Sequence, residues 1–305
     1  MTGKKILVTG ATGTTGKKTV EILRNHGRDV RAIAHKESAG SEYLKSIGAE
    51  VVVGDLLQFH SIRPAFDDVD SAYFCYPLRP GAIEAAALFA QAAVEAKVDA
   101  IVNISQICAR RESKSHAAFN HWISERLLDR TGIPTTHLRP GFFAEWFIYP
   151  GHLVEINSGL VRFPFHNGKH APIAGEDQAR LIATILESPE VHAGKTYNLC
   201  GPKQYTHKEL FSLISDILGR EIRYETASDE ETREKFSKWY GDFPGQHIVA
   251  VAKDHDNGLF SGIDEVIEKF TGKKPMGVEQ FIQKHRSLFQ VPYDSQRKVH
   301  DPDAR

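Results

Sequence analysis

The chain has 305 residues and a formal net charge of -1, with 38 Lys and Arg against 39 Asp and Glu. That length suits one large α/β domain or a domain with a substantial appended lobe, and the balanced charge, without any long basic run, excludes the electrostatic footprint of a nucleic-acid binder. Cys75, Cys108 and Cys200 form no CxxC pair, so neither a disulfide framework nor a metal-ligand spacing is expected, and a reducing cytosol with small-molecule partners fits best.

Residues 1–4 run straight into an apolar strand without a charged-then-apolar leader, and no apolar stretch is long enough to span a membrane. A cytoplasmic protein is the expectation. Residues 5–9 (Lys5-Ile6-Leu7-Val8-Thr9) have the β-branched, continuously apolar character of a strand buried on both faces of a parallel sheet. A glycine turn follows, Gly10-Ala11-Thr12-Gly13-Thr14-Thr15-Gly16, and Val20, Ile22 and Leu23 then fall at helical spacing up to a stop at His26-Gly27. The alternation repeats: strand 29–34, helix 41–47, strand 50–53, strand 71–75, Ala-rich helix 82–96, strand 100–105 and helix 118–130. Strands separated by helix-length segments predict a Rossmann-type doubly wound parallel sheet. After residues 134–139 the rhythm loosens around Pro150, Gly151, Gly159, Pro164 and Gly168. Residues 1–150 are thus expected to be the nucleotide-binding unit. Residues 151–290 are mainly a smaller substrate lobe, with room for some segments to return to the sheet, and residues 291–305 are a polar tail. In the lobe, residues 177–186 and 206–218 read as helices, the second with Thr206 as N-cap and Glu209 completing a capping box.

The pyrophosphate of a dinucleotide needs close approach of backbone N–H groups at a helix N-terminus, where the dipole favours an anion. Gly10 permits the tight turn, Gly13 the close approach and Gly16 the packing of the helix against the sheet, while Thr12, Thr14 and Thr15 complete the cradle. At the end of the second strand an acid selects NAD and a base meets the 2′-phosphate of NADP. Here the strand ends Ala34-His35-Lys36, so NADP(H) is preferred over NAD(H). Asp55, in Gly54-Asp55-Leu56, stands either beside the adenine or as a helix cap.

The glycine turn, the Gly54-Asp55-Leu56 step and Thr136-His137-Leu138-Arg139-Pro140-Gly141-Phe142-Phe143 together resemble the NmrA-like branch of the atypical short-chain dehydrogenases/reductases, over most of the chain to about Ile282. Within that branch His121-Trp122-Ile123-Ser124-Glu125-Arg126 is more similar to the quinone and triphenylmethane-dye reductases than to the transcriptional regulator, and residues 194–199 with the Thr206 helix are similar to their substrate lobe. The resemblance implies that the loops after the fourth, fifth and sixth strands touch cofactor or substrate: Cys75-Tyr76, Ser105-Gln106 and Pro140-Gly141-Phe142-Phe143. Tyr76, Phe142, Phe143 and Trp146 would then form an aromatic wall for a flat conjugated substrate. The Tyr and Lys with which family members protonate a carbonyl oxygen are replaced by Ala117 and His121 at the matching positions.

The expected activity is therefore NAD(P)H-dependent hydride delivery to a small conjugated acceptor, quinone-like or aromatic, whose ring system disperses the incoming charge. His121 would donate a hydrogen bond to the developing oxyanion or hold the cofactor ribose; its alternative is a helix residue bonded within the core. The competing function is a non-catalytic redox sensor that binds the nucleotide and reports to a protein partner. A homodimer is left open.

Overall fold

The computed structural model describes residues 5–289. The expected tail at 291–305 and the opening residues 1–4 lie outside them. Chain order begins β1 (Lys5–Val8), α1 (Thr14–Asn25), β2 (Asp29–Ala34), α2 (Ala39–Ser46), β3 (Glu50–Val53), α3 (Phe59–Ile62), β4 (Val69–Phe74), α4 (Ala82–Ala96), β5 (Ala100–Ile104), α5 (His116–Asp129) and β6 (Thr135–Pro140). It continues α6 (Pro150–Ser158), β7 (Leu160–Phe163), α7 (Gly175–Glu187), β8 (Thr196–Leu199), α8 (His207–Leu218), β9 (Arg223–Thr226), α9 (Asp229–Tyr240), α10 (Asp242–Asp256), α11 (Val266–Thr271) and α12 (Val278–Lys284).

Seven strands form one sheet in the order β3-β2-β1-β4-β5-β6-β8, every neighbouring pair parallel. Strand periodicity divides the core into two layers. Ile6 and Val8 point to the face covered by α1 and α7, where Val20, Leu23, Leu181 and Ile185 are buried, and Leu7 joins Phe66, Phe74, Phe89 and Leu128 on the other. The winding reverses between β1 and β4, which pair side by side with Val8 opposite Tyr73. This reversal opens a crevice at the carboxyl ends of the strands, where doubly wound sheets receive ligands.

β8 and α7 lie beyond residue 150 and still belong to the sheet layers, β8 pairing with β6 and α7 packing on α1. Before and after them in the chain, β7 and β9 form a two-stranded parallel ribbon. With α6, α8, α9, α10 and α12 it encloses a second core, containing Phe163, Phe165, Phe211, Ile214 and Phe281. Helix α5 starts two residues before its expected position because the Ser115 side chain caps it, accepting from the Ala118 N–H at 3.1 Å. The capping box of α8 forms as expected: Thr206 Oγ1 accepts from Glu209 N at 3.2 Å, and the Glu209 carboxylate accepts from Thr206 N at 2.7 Å.

Candidate functional site

Gly10 leaves β1 with φ +57°, the left-handed region that favours glycine. The Gly13 N–H returns to the Gly10 carbonyl at 3.0 Å, and Lys17 N to Gly13 O at 2.9 Å makes the first helical bond of α1. Gly16 is required by this turn rather than by the sheet, since a Cβ there would lie 2.1 Å from the Gly10 carbonyl oxygen. Thr9 holds the turn to the neighbouring strand: its Oγ1 accepts from Cys75 N at 2.8 Å and donates to Tyr73 O at 3.0 Å. Thr15 is buried with its Oγ1 3.3 Å from the Tyr73 hydroxyl, whereas Thr14 is exposed. Gly13 caps α1 without any side-chain acceptor, and no acid stands in the first turn. Helices α2, α8 and α9 each carry a capping box instead. The N–H groups opening α1 are thus left for an external acceptor.

A cleft of about 820 Å³, open to solvent, lies beside this turn. Of the residues expected from sequence it gathers Gly10, Thr12, His35, Lys36, Leu56, Cys75 and Tyr76; Ile33, Ser38, Gly54, Pro77 and Arg79 complete the lining. Lys36 is exposed and makes no ion pair among the described residues. His35 Nδ1 is 4.0 Å from Asp55 Oδ1. Asp55 caps no helix, since α3 begins at Phe59 behind Gln58; its Oδ1 instead accepts from Leu57 N at 3.0 Å and closes a local turn. The Tyr76 hydroxyl donates to Pro80 O at 3.0 Å, and Arg79 Nε donates to the same hydroxyl at 3.3 Å. Arg79 had no local sequence signal, because the loop after β4 brings it to the cleft.

The remaining expected residues sit along the ends of β5 and β6. Ser105 is buried and its N–H donates to Leu138 O at 2.6 Å, while Gln106 Oε1 accepts from the Cys108 thiol at 3.4 Å. Pro140 closes β6, and Gly141 N donates to Leu199 O at 3.0 Å. His121 is half-buried on α5, one turn before Glu125, and is not part of the cleft lining. Burial pushes its imidazole down to about 4, against the opposing pull of the Glu125 carboxylate, so at neutral pH the ring is an uncharged hydrogen-bond donor. Burial acts to raise the pKa of Glu125, but a bidentate pair with Arg139 at 2.8 and 2.5 Å outweighs it and keeps the carboxyl ionised.

The expected aromatic wall is divided. Tyr76 stands in the cleft, whereas Phe142, Phe143 and Trp146 line a second pocket of about 340 Å³ inside the lobe, with His152, His170 and His207. Phe142 contacts Trp146 edge to face at 5.3 Å and His170 at 4.5 Å between ring centroids. Burial pushes the Cys108 thiol up to about 12, which leaves it inert at neutral pH.

A crossover crevice, a glycine turn against an uncapped helix and a basic rim define a nucleotide-binding Rossmann protein. The NmrA-like family model matches residues 2–282, and the chain belongs to that family. Its fold is shared by the Citrobacter sp. triphenylmethane reductase in complex with NADP(H), at TM-score 0.80 and 25% identity over 92% of this chain and 99% of that one. It is shared as well by the NADPH-dependent quinone oxidoreductase of Escherichia coli, solved with NADPH, at TM-score 0.82 and 21% identity over the same shares. A curated relative, the (4-alkanoyl-5-oxo-2,5-dihydrofuran-3-yl)methyl phosphate reductase of Streptomyces griseus, is 23% identical over 93% of this chain and 99% of its own. Among the described residues no helix is long and apolar enough to cross a membrane.

Proposed function

We propose that this chain is an NADPH-dependent reductase that delivers hydride to a small conjugated acceptor. The observation that carries the reading is the cleft at the β1–β4 crossover, where the Gly10 turn and the open N-terminus of α1 meet Lys36 and His35. Pyrophosphate is accepted at the helix end. The 2′-phosphate is met by Lys36, which makes NADP(H) the preferred cofactor and NAD(H) the weaker one. Residues 1–150 supply most of this site; β8 and α7 complete its layers, and the rest of residues 151–290 forms the acceptor lobe.

The reaction class draws on the relatives. A triphenylmethane dye, a quinone and a dihydrofuranyl phosphate are named for those proteins, and each contains an unsaturated ring system that disperses charge as hydride arrives. Such an acceptor needs positioning and a modest hydrogen-bond donor more than a strong acid. The uncharged His121 imidazole serves as that donor, and the proton that completes the reduction is drawn from solvent. Phe142, Phe143 and Trp146 provide the flat apolar surface.

The test is an NADPH fluorescence titration followed by quinone, azo-dye and triphenylmethane-dye acceptors, with loss of reduced-cofactor absorbance as the signal. Oxidation that depends on the acceptor supports the reductase, and His121→Ala should then slow turnover more than it weakens NADPH binding. Tight binding without oxidation of NADPH by any acceptor would replace the reductase with a nucleotide sensor.

A further inference from the structure

We propose that the C-terminal lobe holds one divalent transition-metal ion, of the class zinc represents, between His170, His207 and His255. The three come from separate elements: His170 from the segment between β7 and α7, His207 from the first turn of α8, and His255 from the last turn of α10. Their exposures are 3%, 5% and 0%, so none serves the surface. One ring nitrogen from each lies within 4.8 Å of the other two. His170 Nδ1 and His255 Nε2 are 3.0 Å apart, and ring centroids are separated by 4.6 Å (His170 to His207), 5.1 Å (His170 to His255) and 5.2 Å (His207 to His255).

A tetrahedral ion bound at about 2.0–2.1 Å places its ligand nitrogens about 3.4 Å from one another. The His170–His255 pair therefore opens by a few tenths of an ångström, and His207 closes by at most about 1.4 Å, within reach of small χ adjustments. Apart from the hydrogen bond between His170 and His255, the surroundings of the rings are aromatic. Phe142 lies 4.5 Å from His170, 5.8 Å from His207 and 5.7 Å from His255, and Phe165 stacks on His207 at 4.2 Å. Two buried nitrogens, His207 Nδ1 and His255 Nδ1, have no hydrogen-bond partner, and such atoms call for a ligand or a tautomer that explains them.

An ion held by His207 Nδ1 would give that atom its partner. With the proton of His255 on Nδ1, on the side of Asp256 Oδ1 at 3.6 Å, Nε2 turns its lone pair inward, and a small shift of the carboxylate would complete the arrangement that orients a ligand histidine. Such an ion takes imidazoles in their neutral form, one lone pair from each ring. Three neutral nitrogens suit zinc, copper, nickel or iron and exclude magnesium and calcium. His170 and His207 also line the lobe pocket, so the bound ion stands at its wall with a coordination position to spare.

The decisive experiment titrates metal-stripped full-length protein with Co2+ and follows its visible d–d absorption, then displaces it with Zn2+. One equivalent of an intense tetrahedral spectrum is expected. His207→Phe keeps the aromatic stack and should lower Co2+ affinity at least tenfold, whereas His26→Asn, on the exposed surface, should leave it unchanged. No Co2+ spectrum in the native chain, or one that survives in a folded His207→Phe protein, overturns the proposal. Should that variant fail to fold, imidazole 15N resonances of the native chain decide the matter. Zn2+ must shift three of the fifteen histidines, all solvent-protected; a shift confined to exposed histidines overturns the site.

Discussion

Replacing Gly16 with Ala tests the phosphate turn by geometry alone. In an ordinary helix interior the change stabilises by about 1 kcal/mol, because Ala loses less backbone freedom than Gly. Here the new Cβ would lie 2.1 Å from Gly10 O, 2.7 Å from Gly10 C and 3.0 Å from Ala11 Cα, all backbone atoms with no rotamer to yield. Restoring contact distance requires the turn and the first turn of α1 to separate by about 1 Å, and overpacking of this kind costs about 1–3 kcal/mol or more. The net loss is about 0–2 kcal/mol, a fall in Tm of up to about 4 °C for a chain of this size. The larger effect falls on binding. The displaced atoms include the N–H groups that would receive the pyrophosphate, so NADPH affinity should drop at least tenfold. Thermal denaturation and a fluorescence titration measure the two effects. A variant as stable as the parent with unchanged NADPH affinity would refute the turn as cradle.

Lys36→Ala removes one charge-assisted contact, worth about 1.5–3 kcal/mol, and should weaken NADPH by about tenfold to a hundredfold while NADH affinity stays constant; equal losses for both cofactors would reject the 2′-phosphate role. Cys75 lies half-buried in the cleft wall, whereas burial pushes Cys108 and Cys200 to about 12, so an alkylating reagent should modify Cys75 first and NADPH should protect it. Protection of a different cysteine, mapped by mass spectrometry, would place the nucleotide elsewhere. Burial lowers His121 to about 4 and His152 and His247 to about 3. Depressed pKa values mean that the unfolded chain binds more protons, so the stability these residues carry is complete above about pH 6.5 and is lost as pH falls toward 4. Each adds a slope of about 1.4 kcal/mol per pH unit, and urea midpoints should fall steeply from pH 6.5 to 4.5. Flat midpoints across that window would show these histidines to be solvated.

Elements whose cause is local were readable in the sequence. The helix at 82–96 keeps both expected ends because Gly81 (φ +102°) and Lys97 (φ +57°) break the right-handed backbone on either side. β1 and the glycine turn follow from adjacent residues in the same way. Helix α9 escaped notice since Asp229, Glu230, Glu231, Arg233, Glu234 and Lys235 crowd it with charge and only Thr232 and Phe236 are buried, too few for a periodic stripe. The strands of ribbon β7–β9 are four residues long and pair across 63 positions, from Leu160 with Arg223 to Phe163 with Thr226, which no short window contains. The site divides on the same line. His35, Lys36, Ser38 and Gly10 belong to single turns, whereas Arg79 and the three lobe histidines meet their neighbours only through tertiary structure.

The segment leaving β6 connects the aromatic residues of the lobe pocket to the glycine turn, although the two lie apart in space. Phe142 is buried in the lobe, Phe143 pairs with Ile173, and Glu145 accepts from the Gly175 N–H at 2.9 and 3.1 Å at the start of α7. Gly175 in turn lies against Thr14, since a Cβ there would stand 2.7 Å from Thr14 Cγ2. One continuous stretch therefore touches the helix end offered to the phosphates and the wall of the lobe pocket. Burial raises Glu145 to about 7 despite the opposing Gly175 N–H, so its charge is undecided at physiological pH. Phosphates arriving beside Thr14 would favour the protonated carboxyl, and the carboxyl sits only three residues from Phe142. A nucleotide at the glycine turn and the shape of the lobe pocket thus share one element, which on the proposed reading couples cofactor binding to the acceptor.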